Sequence, residues 1–292
     1  MVKNELYVLL IATLFILGLL FALLFYLVIR KAFGIRKRSR VELKIKDSEN
    51  QIFIFLREGK FNGKFKPETI IDKMAVEELL SKYAELLEGE EEKANLTSLA
   101  EHYLTDYYRY RLKSGRWSIR MNALFHIEDF KMGSLLRDIY EMLNKKRISQ
   151  DEIIHVLRIL ATMQSDKING LLTNRFINLS EYEYRNILIR LDGKGFDLFV
   201  LGFHKSQREL QYAILDVMGV KKELSYLSFV ENIFSSYSGE IKLRALKTLG
   251  EIGYVTNIDS FLPLCSSGKW EERMMAAKLI GVIKEKKGCK AW

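Results

Sequence analysis

Apolar positions along the chain fall into two patterns. The first is an unbroken run, Leu6–Ile29, of 24 residues without a charge. At ~1.5 Å per residue a helix of that length covers ~36 Å, enough for the ~30 Å hydrocarbon core of a bilayer. Tyr7 and Tyr26 stand near its two ends, where amphipathic rings favour the membrane interface. A cleaved signal peptide has a positive leading segment, a shorter apolar stretch and a small-residue cleavage site. Here Lys3 is balanced by Glu5, the run is longer, and large residues and arginines follow it. The expectation is a short tail over 1–5 and an uncleaved, single-pass transmembrane helix over 6–29.

The second pattern starts at Pro67. From there apolar residues recur at spacings of three and four, which is one face of a helix. Pro67 suits a first-turn position. A stripe follows, from Ile70, Ile71, Met74 and Val76 to Leu79, Leu80, Tyr83, Leu86 and Leu87. Gly89–Glu92 is a charged break, and Asn95 or Thr97 is placed to cap the next helix. Together these predict an atypical helical pair over 67–115, closed by the turn Lys113-Ser-Gly-Arg116. Five helix pairs then follow: 117–130 with 132–145, 150–163 with 166–174, 181–191 with 194–202, 206–218 with 223–236, and 240–252 with 257–266. A single helix, 269–285, closes the series, and 288–292 is a tail. Ser149 with Glu152 and Ser180 with Glu183 have capping-box spacing. Only Pro67 and Pro263 interrupt long helices.

Between the two patterns lies a basic linker, 30–66. Val41–Lys46 alternates with period two, and Gln51–Leu56 is rich in β-formers, which suggests a short β-hairpin over 41–56. An isolated hairpin is marginal in water, however, and everything downstream is helical. A helix leading from the apolar run to the body is therefore favoured, and the fold class is all-α.

The helices of the second pattern resemble one another. Lys242-Leu-Arg-Ala245-Leu-Lys-Thr-Leu-Gly250-Glu-Ile-Gly253 returns 31 residues later around Arg273, Ala276, Ile280 and Gly281. It occurs earlier around Ala213 to Gly219, and again as Arg120-Met-Asn-Ala123-Leu. Self-similarity at a period of roughly 20–50 residues is the mark of a solenoid. Ala245 and Gly250 are small where a neighbouring helix is expected to come close. The stretch over 116–287 resembles HEAT repeats of the bacterial, phycobilisome-lyase-like kind. That resemblance implies an armadillo-like α-solenoid presenting an extended surface to other proteins. It also implies that Arg120, Lys242 and Arg273 make structural contacts with an adjacent turn. Trp117 and Trp270 are expected to pack where their helices begin.

Charge narrows the function. The chain carries +9, of which +6 falls on Arg30, Lys31, Arg36, Lys37, Arg38 and Arg40. The remaining +3 on residues 41–292 makes the body a poor candidate for nucleic acid. Six basic residues after the apolar run, against one before it, place that flank in the cytoplasm by the positive-inside rule. The same residues are also placed to face anionic lipid, but a topology signal alone accounts for them and is the favoured reading. Of the cysteines, Cys265 lies in an apolar pattern and is expected in the core, whereas Cys289 lies in a polar stretch. Neither fits a disulfide framework or a zinc spacing.

No phosphate-binding glycine loop, His-Glu-x-x-His or Gly-x-Ser-x-Gly motif occurs. His102 and Asp106, at i and i+4, fit a solvated pair better than a metal site. Tyr103, Tyr107, Tyr108 and Tyr110 beside Arg109 and Arg111 fit a packed stripe better than a base-stacking platform. The expected function is a scaffold at the cytoplasmic face of the inner membrane, N-terminus outward, binding a protein partner without cofactor or metal. The most specific expectation for that partner is a membrane enzyme of cell-surface polysaccharide synthesis. The alternative is a lyase-like or chromophore-handling accessory role.

Overall fold

The computed structural model describes residues 2–60 and 65–289. The remainder of the expected tails and linker, at residues 1, 61–64 and 290–292, lies outside them. About 80% of the chain is helical, and there is no strand among the described residues. The chain divides into two compact units, Met1–Leu135 and Leu136–Trp292.

The first unit contains α1 (Val2–Glu58), α2 (Ile70–Leu86), α3 (Glu90–Leu112), α4 (Trp117–Asp129) and a 3₁₀ turn, Gly133–Leu135. One continuous helix thus runs from the apolar stretch through the basic segment, and residues 41–56 are helical rather than a hairpin. The reason is burial. Val41, Ile52, Phe55 and Leu56 are buried, and α1 packs on α2 and α3. A helix satisfies its backbone internally, and its spacing gathers these four side chains on one side. The facing residues are Ala75, Val76, Leu79 and Leu80 of α2 and Leu96, Leu99, Ala100 and Leu104 of α3.

Two capping expectations are corrected. Thr69, not Pro67, sets the start of α2, in a capping box with Asp72. Pro67 lies before the helix and is buried. Helix α3 begins at Glu90, so Asn95 and Thr97 are interior positions. Glu90, Glu91 and Glu92 form its first turn, where negative charge favours the helix dipole. Asn95 caps another helix instead: its Nδ2 donates to the Leu56 carbonyl near the end of α1, at 3.0 Å.

The second unit contains α5 (Leu136–Met142), α6 (Gln150–Thr162), α7 (Ile168–Gly170), α8 (Glu181–Leu188), α9 (Gly193–Leu201), α10 (Arg208–Lys221), α11 (Leu227–Ser236), α12 (Glu240–Ile252) and α13 (Trp270–Cys289). Helix α7 runs on into a wider helical turn, Leu171–Arg175. Both expected capping boxes are present, Ser149 with Glu152 and Ser180 with Glu183. Helices α6, α8, α10, α12 and α13 pack each on the next, while α11 packs on α12 and α7 on α9. Tyr184, Phe196, Phe199, Phe203, Ile214, Val217, Leu246 and Leu249 are buried between them. Gly253 ends α12 with φ +72°, a left-handed cap that glycine adopts without a Cβ clash.

The segment 257–266 departs from expectation. It forms two short 3₁₀ turns, Ile258–Ser260 and Leu262–Ser266, rather than a helix. The Asn257 side chain accepts from the Asp259 N–H, and Pro263 supplies no N–H to an α-helical ladder. Only Phe261 is buried there. Cys265 is exposed, not a core residue. The boundary expected at 115/116 also differs from the observed division, since α4 packs with α2 and α3 in the first unit.

Candidate functional site

Among the described residues, the longest run of uncovered apolar side chains is on α1. Its described side chains from Leu10 to Ile29 are all exposed, with Phe15 at 71% and Phe25 at 68%. No residue of its most apolar 18-residue stretch is buried against the rest of the chain. This helix is long and apolar enough to cross a membrane.

The basic segment follows on the same helix, and its six cations divide. Arg30, Lys31, Arg36, Lys37 and Arg40 are exposed and form no ion pair among the described residues. Arg38 is committed to the body. Its Nη1 and Nη2 donate to the two carboxylate oxygens of Glu78 on α2, at 2.6 and 2.8 Å, and its Nε donates to Glu42 at 2.9 Å. The Glu78 bonds, and next those of Glu42, hold the guanidinium above its ordinary range. Lys44 pairs with Asp72 at 3.3 Å and Lys82 with Glu49 at 3.0 Å, so three ion pairs tie α1 to α2.

Below this junction lies a half-buried polar cluster from α2, α3 and α4. The Glu77 carboxylate accepts from Arg111 Nη1 at 2.9 Å and lies 3.4 Å from His126 Nε2. Arg111 also donates to the Tyr107 hydroxyl at 2.8 Å and lies over that ring. His126 Nδ1 is 3.2 Å from Ser81 Oγ, and the His126 ring clusters with those of Tyr108 and Phe130, which are also within 6.5 Å of each other. Serine, histidine and glutamate therefore stand in series. Ser81, however, donates to the Glu77 carbonyl one turn back at 2.9 Å. It lies inside α2, whose own N–H groups are bonded along the helix. The arrangement ties three helices together. Burial, and next the Glu77 carboxylate, push the Tyr108 hydroxyl up from its ordinary value.

The repeat-signature residues fall into place unevenly. Ala123, Ala213, Ala245 and Ala276 are all fully buried. Arg120 donates to the Ser114 carbonyl at 2.8 Å and Arg273 to the Ser267 carbonyl at 2.7 Å. Lys242 lies over the Phe234 ring of α11 at 4.9 Å. All three therefore contact the segment that leads into their own helix or its neighbour. Gly250 is buried, but a Cβ there would meet nothing within 4 Å, and the same is true of the exposed Gly281. Neither marks a close helix approach. Trp117 and Trp270 begin α4 and α13, and they are 48% and 60% exposed.

Sequence reasoning missed Arg244. This side chain of α12 pairs with Glu181 of α8, with Asp216 of α10 at 3.8 Å and with Glu240 of its own helix at 2.8 Å. It also lies over the Tyr212 ring at 4.3 Å. One guanidinium thereby ties α8, α10 and α12. Burial alone lowers its pKa, but the carboxylates outweigh that and raise it. Its neighbour Lys247 adds a 3.3 Å pair with Asp216. The signal lay in Asp216 and Glu181, 28 and 63 residues back, and is visible only once α8, α10 and α12 are packed together.

His102 and Asp106 line an open cleft of about 690 Å³ in the first unit, with Lys73 and Glu101. No metal-binding group of three or more His, Cys, Asp or Glu occurs among the described residues. The tyrosine stripe is used internally. Tyr108 is buried, Tyr103 donates to the Phe65 carbonyl at 2.8 Å, and Arg109 pairs with Asp106. Tyr110 alone of the four is fully outward, at 81% exposure. No family model matches the chain, and neither a curated protein nor a solved structure matches it.

Proposed function

We propose that this protein is a membrane-anchored helical scaffold whose body binds a protein partner at the cytoplasmic face of the inner membrane. The observation that carries the reading is the course of α1. The described side chains of its 24-residue uncharged run are uncovered, and the same helix continues through the basic segment into the core of the first unit. An apolar surface of this extent is costly in water and favourable in lipid. The basic flank favours a cytoplasmic body and an outward N-terminus.

The successive packing of α6, α8, α10, α12 and α13 supports a HEAT-like α-solenoid in the second unit, with buried alanines at the recurring position. Trp270 and Met274, one turn apart on α13, are 60% and 52% exposed. Tryptophan and methionine are enriched in interface cores, which supports a protein partner.

The test uses the full chain in its native membrane. An alkaline carbonate wash should leave it in the membrane fraction. In-membrane cross-linking followed by mass spectrometry should recover a recurrent partner whose yield falls in the Trp270→Ala, Met274→Ala double variant. Release of the intact chain by carbonate would overturn the anchor. An unchanged cross-linking pattern in the variant would overturn the assigned surface.

A further inference from the structure

Resting on that membrane reading, we infer that Arg30, Lys31, Phe33, Arg36, Lys37 and Arg40 form a collar that gathers anionic phospholipid headgroups, and that Arg38 is not part of it. The apolar run ends at Ile29, and no acid occurs in residues 30–40. The helix does not break there, so side-chain positions follow from its geometry. Arg36 and Arg40 are one turn apart. Lys37 lies beside them, and Arg30 is two turns before Lys37. These four share one side of the helix, with Phe33 between them. Lys31 lies off this stripe at the same depth as Arg30.

Phe33 and Ile35 are 66% and 59% exposed, an apolar presence among cations that fits the interfacial zone. With Ile29 at the hydrocarbon edge, Arg30 and Lys31 stand at headgroup level. Arg36 lies roughly 10 Å beyond Ile29 along the helix and Arg40 roughly 16 Å. Helical side chains lean toward the N-terminus, which here is toward the bilayer. The pull of an anionic surface decays within about a Debye length, ~8 Å at physiological salt. The ranking is therefore Arg30 and Lys31 first, then Arg36 and Lys37, with Arg40 weakest. Arg38, held bidentately by Glu78 and again by Glu42, is already neutralised.

Occupancy can be read with spin-labelled lipids. The full chain is reconstituted in phosphatidylcholine bilayers carrying trace spin-labelled phosphatidylglycerol or phosphatidylcholine. The relative association of the two probes with the protein is then measured. Wild type should favour the anionic probe several-fold, less so in high salt. Replacing Arg30, Lys31, Arg36, Lys37 and Arg40 with glutamine should bring the ratio to about one. Arg38→Gln together with Glu78→Gln, which removes the pair without unmasking the Glu78 carboxylate or changing the net charge, should leave the ratio unchanged, and circular dichroism checks that each variant stays helical. An integrated wild-type protein without anionic preference would overturn the collar while leaving the anchor standing. An effect of the Arg38→Gln, Glu78→Gln double variant as large as that of Arg36→Gln would overturn the division of labour. Failure of the wild-type chain to resist carbonate extraction would remove the anchor and the collar together.

Discussion

Arg273 Nη1 donates to the carbonyl of Ser267, six residues earlier, at 2.7 Å. Arg120 does the same to Ser114 at 2.8 Å. The two settings share a sequence: Ser114-Gly-Arg-Trp-Ser-Ile-Arg120 and Ser267-Gly-Lys-Trp-Glu-Glu-Arg273. In each the tryptophan opens the helix, and the arginine of its first turns reaches back to fix the incoming loop. A hydrogen bond from a charged group contributes roughly 1.5–3 kcal/mol when shielded from water and less when exposed. Arg120 is partly buried and Arg273 is exposed. Arg120→Ala should therefore cost about 1–2 kcal/mol, and Arg273→Ala under about 1 kcal/mol. Denaturant melts of the full chain in detergent test this. Equal costs at the two sites would show that burial does not set the strength of the bond.

Ala245 and Gly250 should respond in opposite ways. Ala245 is fully buried, so Ala245→Leu forces methylenes into a filled site and should cost about 1–3 kcal/mol. Gly250 is interior to α12, and a Cβ there meets nothing within 4 Å. Gly250→Ala should stabilise by up to ~1 kcal/mol, because alanine restricts the unfolded chain and favours helix. A destabilised Gly250→Ala in the same melts would mean that a neighbour does approach this position.

Arg244 should outweigh Lys247 although both pair with Asp216. Arg244 reaches acids on three helices and stacks on Tyr212, with 21% of its side chain exposed. Lys247 is 45% exposed. Exposed pairs contribute little, whereas removing one partner of a shielded network strands the others. Arg244→Ala should cost about 1–3 kcal/mol and Lys247→Ala about 0.5 kcal/mol or less. Arg244→Lys should recover little of the loss, since an ammonium cannot span the same acceptors. Full recovery by lysine would reduce the network to simple charge.

The link between α1 and α2 should weaken in acid. Burial tends to raise the Asp72 carboxyl, but hydrogen bonds from Thr69 and the nearby Lys44 outweigh it and leave the pKa below its ordinary value. A carboxyl lowered in the folded state stabilises fully above its unfolded value of ~3.9. That contribution is lost as pH falls through the folded value. Asp72→Ala should therefore cost ~1 kcal/mol near neutral pH, through the lost cap and ion pair. The gap from wild type should narrow as pH drops below about 4. Thermal melts across pH read this directly, and a gap that stays constant would remove the electrostatic part.

Helix spacing and the Ser149 and Ser180 capping boxes were legible in the sequence because both act within a few residues. The stripes of α6, α8, α10 and α12 and the Ser149 and Ser180 boxes lie where the pattern puts them. Positions decided by a distant partner were not legible. Asn95 has the right chemistry for its own helix start, but its partner is Leu56, across the unit. A glycine at 250 permits a close helix contact, yet no neighbour comes within 4 Å of a Cβ built there. The basic run shows the same limit. Six cations look equivalent in the sequence, and only the packing of α2 assigns Arg38 to Glu78. Residues 41–56 follow the same rule, since the burial of Ile52, Phe55 and Leu56 against α2 and α3 decides helix over hairpin.

Cys265 offers a test of exposure and orientation in one experiment. It lies in the 3₁₀ turn Leu262–Ser266 and is exposed, so a thiol reagent should reach it in the folded protein. In a Cys289→Ser background the rate should approach that of the unfolded chain. A core cysteine would instead react only on unfolding, more slowly by orders of magnitude. The same thiol reports topology because it belongs to the body. If the basic flank of α1 keeps the body in the cytoplasm, a membrane-impermeant maleimide should leave Cys265 unlabelled in intact cells. It should label Cys265 in inside-out vesicles and in detergent. Neutralising Arg36, Lys37 and Arg40 while adding lysines before Leu6 should raise labelling in intact cells, though a large folded body resists full inversion. Arg38 is left in place in that variant, because its pair with Glu78 anchors α1 to the body and its loss would confuse topology with folding. Efficient labelling of wild type in intact cells, with none in inside-out vesicles, would reverse the orientation and remove the cytoplasmic partner with it.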